Sequence, residues 1–490
     1  MMPANVSGQA HKRFVIVSTL LYLIDPVRGE PTTHSLDRHP HDDIWKHDQL
    51  QKKFLDSFAL IASTSRKGGD TASAVCLEQG HPSGTVLRLA RNLGMSDEHL
   101  VSQLQDVLDD LTAVALKGMM LIQTQLYSRR NTDLLHFPEK SAKDVEAEIL
   151  RKVIALAEDK IWSILEELSS PKIRTAIEQA TSRIPGMSEF SDDAEDASFK
   201  HWIRSLPLLA SLHPGLDPAE LIPHIKWASQ ARWVYSGQLE SFFGAEEGLP
   251  SWFKYIYKLG RYYAATKAML KLAGKQPLVF TNGIHVEPVN APEPEKFSLG
   301  NERTPLLTVL KKITKADPQI LMEKLGQTWL TDDPESRLRR ACRMTLTVHA
   351  EMQLLSFYDH NPHLTPRLLF MGTSKKACYL CHQFMSRHPL SIGVSATHQK
   401  LYPTWMPAPC SSAVRKKHKV LLWEFSRHLE QTTARDLETR LGIRRPFALD
   451  STAGPSLTTT GTLSTDLWHL SLGVVSGSDR YSLEEEEEEE

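Results

Sequence analysis

The chain has 490 residues, of which 41% are hydrophobic and 24% charged, ordinary values for a soluble globular protein of two or three domains. Its formal charge of -2 hides an asymmetry: removing the seven negative charges of Glu484 to Glu490 takes it to +5, a mildly basic body with an acidic tail. Five cysteines (Cys76, Cys342, Cys378, Cys381 and Cys410) exclude a disulfide framework and turn attention to metal or redox chemistry at the CxxC pair.

Residues 1–50 read as an N-terminal segment. Within it Phe14 to Ile24 is uncharged and follows His11-Lys12-Arg13, the order of a signal peptide. No small-x-small site follows, and the run is too short for a bilayer, which needs about 20 residues in a helix. A buried helix or strand is expected, in an intracellular protein (cytoplasmic or nuclear) with no membrane association. Residues 51–95 predict a helix around Phe54 to Ile61, a turn at Arg66 to Asp70, and a hairpin. The hairpin runs are Ala72 to Leu77 and Thr85 to Ala90, joined by Gly80 to Gly84. Leu87 and Leu89 share one face of the second run, and Arg88 takes the other.

From 96 to 290 the apolar spacing becomes helical, as in Val101, Leu104, Leu108 and Leu111. The acidic run Ser191 to Asp196 predicts a loop between two helical blocks. The second block carries Trp227, Trp233, Tyr235, Trp252, Tyr255, Tyr257, Tyr262 and Tyr263, which suit either a packed core or a base-stacking platform. Leu278 to Thr281 reads as a strand before the proline-rich boundary Glu287 to Glu295. Residues 330–445 carry the chemistry, and 446–490, rich in Ser, Thr and Gly before the glutamates, read as disordered.

Three segments converge in that unit. Val348-His349-Ala350-Glu351 opens an apolar helix that ends near Asn361-Pro362. Leu368 to Gly372 is a short buried strand. Thr373 to Cys381 turns into a second helix, with Ser374 the expected N-cap. Cys378 and Cys381 stand three apart, so both sulfurs point one way in a first helical turn. The positive helix end there favours thiolates. His349 and Glu351 at the other helix start let one side chain ligate while the other faces an open position. Three protein ligands with a fourth position free describe a catalytic zinc site. A structural site completed by Cys410, Cys342 or His382 uses the same cysteines, and so does a redox dithiol. Only the catalytic reading gives Glu351 a role, as the group that moves a proton.

The pattern H-x-E followed by C-x-x-C resembles the cytidine deaminase-like superfamily. More narrowly, HAE with SKxxCxxC and Leu401-Tyr402-Pro403-x-Trp405 resembles a branch expanded in fungi and related to bacterial toxin deaminases. The resemblance implies an α/β fold with a three-layer α/β/α core, here joined to a large all-helical insertion or N-terminal helical domain. It also implies Zn2+ as cofactor, held by His349, Cys378 and Cys381, and hydrolytic removal of an amine from cytosine or adenine with Glu351 as proton shuttle. Ala377 stands where the superfamily has proline, a departure that costs no ligand. The superfamily places a helix and hairpin before the HAE helix, which makes residues 51–95 the first part of the core and Asn92 the candidate sugar contact.

Basic groups flank the site: Arg337, Arg339, Arg340 and Arg343 before it, Lys375 and Lys376 within it, and Arg415 to Lys419 after it. They point to an anionic partner, a nucleotide or nucleic acid. Trp405 and Tyr402 are candidates to stack on its base, or to pack in the core. The alternative function is a catalytically inactive, zinc-stabilised scaffold. Oligomeric state stays open.

Overall fold

The computed structural model describes residues 9–32, 43–66, 69–81, 84–95, 98–128, 142–182, 194–243, 249–300, 302–407, 410 and 413–445. The expected disordered tail, 446–490, lies outside them. The uncharged stretch near the start forms helix α1 (Gln9–Ile24), almost wholly buried. Its Phe14, Val15, Val17 and Leu21 enter the core around the CxxC segment, while Ile16, Leu20 and Ile24 enter a smaller satellite core. Among the described residues no helix is long and apolar enough to cross a membrane.

Helix α2 (Asp43–Ala62) precedes the hairpin of β1 (Ser73–His81) and β2 (Gly84–Arg91), which are antiparallel with Cys76 opposite Arg88. Strand alternation sends successive side chains to two different cores. Val75, Leu77, Leu87 and Leu89 join α2 and the helical region, whereas Ala74, Cys76 and Ala90 join the core around the CxxC segment. Arg88 is buried on that second face. Glu78 accepts from its Nε and Nη2 at 3.0 and 2.9 Å, Glu287 accepts at 2.5 Å, and the guanidinium lies 4.3 Å from the Phe357 ring centroid. A buried cation needs such partners to remain charged.

The helical region comprises α3 (Glu98–Ser128), α4 (Ala142–Leu156), α5 (Glu158–Leu168), α6 (Pro171–Thr181), α7 (Ala194–Arg204), α8 (Leu206–Ala210), α9 (Pro218–Trp233), α10 (Ser236–Phe243) and α11 (Phe253–Lys275). Residues 191–193 of the acidic run lie outside the described residues. Residues 194–196 of that run begin α7, in place of the expected loop. Aromatics in this region are core. Trp202 and Trp227 stack at 4.5 Å, and each indole donates to the other's carbonyl at 3.1 Å. Tyr235, Trp252, Tyr262 and Tyr263 are buried as well. Helices α9 and α11 cross at Gly260, where a Cβ would lie 2.6 Å from Ser229 Cα.

Leu278 to Thr281 is not a strand. Pro277, which locks φ and has no N–H to give a sheet, opens a single 3-10 turn over Pro277–Val279, and Leu278 is exposed. The strand comes later, as β3 (Ile284–Pro288), parallel to β2. Then follow β4 (Glu295–Phe297), α12 (Pro305–Ile313), α13 (Pro318–Trp329) and α14 (Pro334–Ala341). These three helices pack on α1 through Leu306, Leu310, Leu325, Trp329 and Leu338.

The last part contains β5 (Met344–Val348), α15 (Ala350–His360), β6 (Phe370–Thr373), α16 (Tyr379–Met385), β7 (Gly393–Val394), β8 (Trp405–Met406) and α17 (Arg415–Thr439). One sheet runs in the order β3-β2-β1-β6-β7 and a second in the order β4-β5-β8. The fold is thus mixed α/β, two small sheets with a large helical complement. Strand β6 from the end of the chain pairs with β1 from its start, Ala74 opposite Thr373. Gly372 allows that closure: a Cβ there would lie 2.2 Å from the Leu55 carbonyl carbon of α2.

Candidate metal centre

Strand β5 delivers His349 to the N-cap of α15, with φ -66° and ψ 152°. Strand β6 leads through residues 374–377 to Cys378, the N-cap of α16, whose sulfur accepts from the Cys381 N–H at 3.3 Å. Ser374 is not the cap. Its Oγ accepts from Ser73 N at 2.9 Å and ties the end of β6 to the start of β1, so α16 begins five residues later. Two helix N-termini therefore meet, each presenting ligand atoms from its first turn.

The ligand atoms converge as a metal requires. His349 Nδ1 lies 3.6 Å from Cys378 Sγ and 3.4 Å from Cys381 Sγ. Zinc bonds of about 2.3 Å to sulfur and 2.0–2.1 Å to nitrogen put such atoms about 3.6 Å apart in a tetrahedron. The donor set, two sulfurs and one imidazole, suits a borderline-soft divalent ion. Burial alone would raise the Cys378 thiol, but hydrogen bonds from Cys381 and the charge of His349 hold it well below its ordinary value. Burial and the neighbouring Cys378 thiolate push Cys381 the opposite way. Glu351, one residue into α15, is buried, and that burial raises its carboxyl while His349 opposes the shift.

Around these four groups stand several others. Asn92 follows β2 directly. Its Oδ1 accepts from Ala350 N at 2.9 Å, capping α15, and its Nδ2 donates to Gly69 O at 2.8 Å. Gln353 on the next turn donates to the carbonyls of Arg91 and Val348 at 2.8 and 2.9 Å. The hairpin end and the HAE helix are thus fastened together. Trp405 is 0% exposed, packs on Phe14, Phe384 and Phe425, and donates its indole N–H to Cys381 Sγ at 3.3 Å. A base-stacking role does not fit a ring with no exposed face. Tyr402 is partly exposed, at 39%, with its ring 6.1 Å from that of His349 and 5.8 Å from that of His398.

His398 escaped the sequence reading, because no spacing rule connects it with the ligands. Its Nδ1 accepts from Lys400 N at 3.0 Å, which assigns the ring proton to Nε2. Burial pushes this imidazole down to about 4, with the Lys400 and Lys375 cations adding to the effect against the Cys378 charge. It is a neutral N–H donor beside the metal centre.

A second grouping, Asp359, His388 and His418, also brings three ligand types together. Here hydrogen bonding accounts for the geometry. Asp359 Oδ2 accepts from His388 Nε2 at 3.0 Å and from His418 Nε2 at 2.5 Å. These are closer than the roughly 3.3 Å that a tetrahedral oxygen–nitrogen edge needs. Leu390 N donates to His388 Nδ1 at 3.4 Å, leaving that ring's proton on Nε2, where a metal would need the lone pair. Burial would raise the Asp359 carboxyl, yet its two imidazole donors hold it far below the usual carboxylate range. The cluster ties α15 to α17 and to the end of α16.

Residues 348–409 match the family model for OTT_1508-like deaminases, 62 of the 490 residues. That segment is similar to a deaminase. It begins one residue before His349 and takes in Glu351, both cysteines, Lys375, His398, Lys400, Tyr402 and Trp405. The comparisons with curated proteins and with solved structures returned no match. Within the deaminase segment and its neighbours, the residues expected at one site divide into two groups. His349, Glu351, Cys378, Cys381 and Asn92 come together at the start of α15, and Trp405 stands behind Cys381 instead of before a substrate.

Proposed function

We propose that the protein is a zinc-dependent hydrolytic deaminase acting on cytosine or adenine in a nucleotide or nucleic acid. The observation that carries this reading is the buried carboxyl of Glu351 beside a converged His349, Cys378 and Cys381 set, inside a segment that matches a deaminase family model. A zinc ion held by those three ligands would supply a Lewis acid that brings water toward neutral acidity.

Everything else falls to the chain's own side chains. Glu351 sits where burial raises its carboxyl above the ordinary range, which suits a group that takes a proton and gives it up again. In a hydrolytic deamination it would accept a proton from the attacking water and return it to the departing amine, which leaves as ammonia. Trp405 donates to Cys381 and fixes that sulfur, the usual service of a group behind a metal ligand. Tyr402, partly exposed beside His349, is the aromatic side chain on which a base would stack. Asn92 capping Ala350 N holds the turn carrying both His349 and Glu351.

The test is ammonia release from cytidine, adenosine, their monophosphates and single-stranded oligonucleotides, by the zinc-loaded protein and by Glu351→Gln. Release by the parent and none by the variant, with zinc content equal in both, is the expected result. A parent that holds zinc and releases no ammonia from any of them would favour the inactive scaffold.

A further inference from the structure

Residues 396–402 pass the metal centre between two strips of chain that bond to them from both sides. One strip leads into Cys378. Ala377 N donates to Ala396 O at 2.9 Å, His398 N to Ala377 O at 3.1 Å, and Tyr379 N to Lys400 O at 2.9 Å. The other strip follows α1. Leu401 N donates to Pro26 O at 2.9 Å, Arg28 N to Gln399 O at 2.8 Å, and Thr32 N to Thr397 O at 2.9 Å. Arg28 is itself anchored, its buried guanidinium donating to Asp436 of α17 at 2.5 Å.

Between the strips Gln399 takes a φ of 58°, the left-handed region that a side chain enters at a cost. Such a conformation persists where its surroundings dictate it, and here backbone bonds do so from two directions. The His398 and Tyr402 rings on either side of that turn stand 5.8 Å apart, and the Tyr402 ring stands 6.1 Å from that of His349.

His398 is 3% exposed, yet only one of its ring nitrogens is used. Nδ1 accepts from Lys400 N at 3.0 Å, and among the described residues no acceptor meets the Nε2–H. A buried donor without an acceptor is a standing cost that native proteins seldom carry without a use for it. Backbone strain and an unmet donor thus fall on adjacent residues, one backbone hydrogen bond away from the residue before Cys378. Kept neutral by burial, this ring suits an uncharged acceptor better than a phosphate.

We propose that His398 reads the substrate base: its Nε2–H donates to an uncharged acceptor on that base, while Tyr402 stacks against it. The role rests on the deaminase reading, which supplies the base. Two sources share this acceptor chemistry, the O2 carbonyl of cytosine and the N3 or N7 atom of adenine. Deamination leaves these atoms in place, as O2 of uracil or N3 and N7 of hypoxanthine. Product binding therefore reads the contact without turnover.

The test is calorimetry on the full-length zinc-loaded protein, with uracil against 2-thiouracil and hypoxanthine against its 3-deaza and 7-deaza analogues. Each base is offered as its nucleoside monophosphate and within a short single-stranded oligonucleotide. The expected result, in one of the two series, is a preference of about tenfold for the base whose acceptor is intact. His398→Asn, whose Oδ1 can still accept from Lys400 N, should abolish that preference with zinc content unchanged. His398→Gln, whose amide N–H reaches further, should restore part of it. A preference in the uracil series identifies cytosine as the substrate base, and one in the hypoxanthine series identifies adenine. No preference in either series, or an undiminished one in His398→Asn, would overturn the assignment. Should His398→Asn fail to fold, His398→Gln decides, and complete loss of the preference there overturns the assignment. A preference as expected with no ammonia from any base overturns the deaminase reading and leaves His398 its role. Ammonia release with equal kcat/KM in the parent and His398→Asn, and no preference in either, does the reverse.

Discussion

The part with the candidate metal centre and the helical region are built on opposite terms. Around His349 and the two cysteines, many polar groups are buried and several are fastened: Asn92 to Ala350, Gln353 to two carbonyls, Trp405 to the Cys381 sulfur. In the helical region the interior is mostly apolar, with Trp202 of α7 stacked on Trp227 of α9 and Tyr235 beside them. The first arrangement holds a few atoms in place at the cost of desolvating polar groups. The second supplies burial with little geometric demand. The lesson is a division of labour: the helical region stabilises by apolar burial, and the other part holds a few polar atoms in place.

The comparison predicts a ranking of effects. The largest should come at Glu351, where Glu351→Gln removes proton transfer and lowers kcat by about 10²–10⁴-fold while zinc content and Tm stay near the parent's. Ammonia release and elemental analysis read the two halves of that statement. Next, Glu78→Ala leaves the buried Arg88 without its bidentate partner and should cost about 3–5 kcal/mol in denaturant unfolding. A cost under 1 kcal/mol would mean that Glu287 and the Phe357 ring suffice.

A matched pair then probes the two packing styles. Gly372→Ala forces a methyl into the α2 backbone and Gly260→Ala forces one into α9. Each should cost about 1–3 kcal/mol as overpacking, the first more than the second because its contact is closer. Loss of zinc in Gly372→Ala but not in Gly260→Ala would sharpen the contrast, and equal loss in both would erase it. The smallest effect is expected at Trp405→Phe, which keeps the ring and deletes the N–H. Stability should fall by about 1 kcal/mol and zinc affinity by about 10–100-fold. A chelator competition resolves the second figure.

How much of this was readable from the chain alone differs between the same two regions. The convergence of His349, Cys378 and Cys381 is legible because its rules are local: HAE and CxxC each sit within one helical turn, where spacing dictates direction. The place of Asn92 beside that turn is reachable only through the order of elements that the superfamily resemblance implies, as it stands 257 positions before His349, and its sugar contact stays a proposal. The helices of 98–275 followed from their periodicity, but not their contacts, because an apolar stripe does not say which stripe it meets. Of the two roles open to Trp405, stacking on a base or packing in the core, the structure shows the second, and burial behind Cys381 is a tertiary fact. His398 carries no signal at all, as no spacing rule links it with its neighbours. The proline rule was available at Pro277 and argued against a strand at 278–281.

The most direct test of the central claim is the zinc content of the purified full-length protein beside that of Cys378→Ser. The account predicts about one zinc per chain in the parent and none in the variant, since His349, Cys378 and Cys381 are, among the described residues, the set arranged as ligands. Zinc retained in full by Cys378→Ser, or a folded parent without zinc, would contradict it.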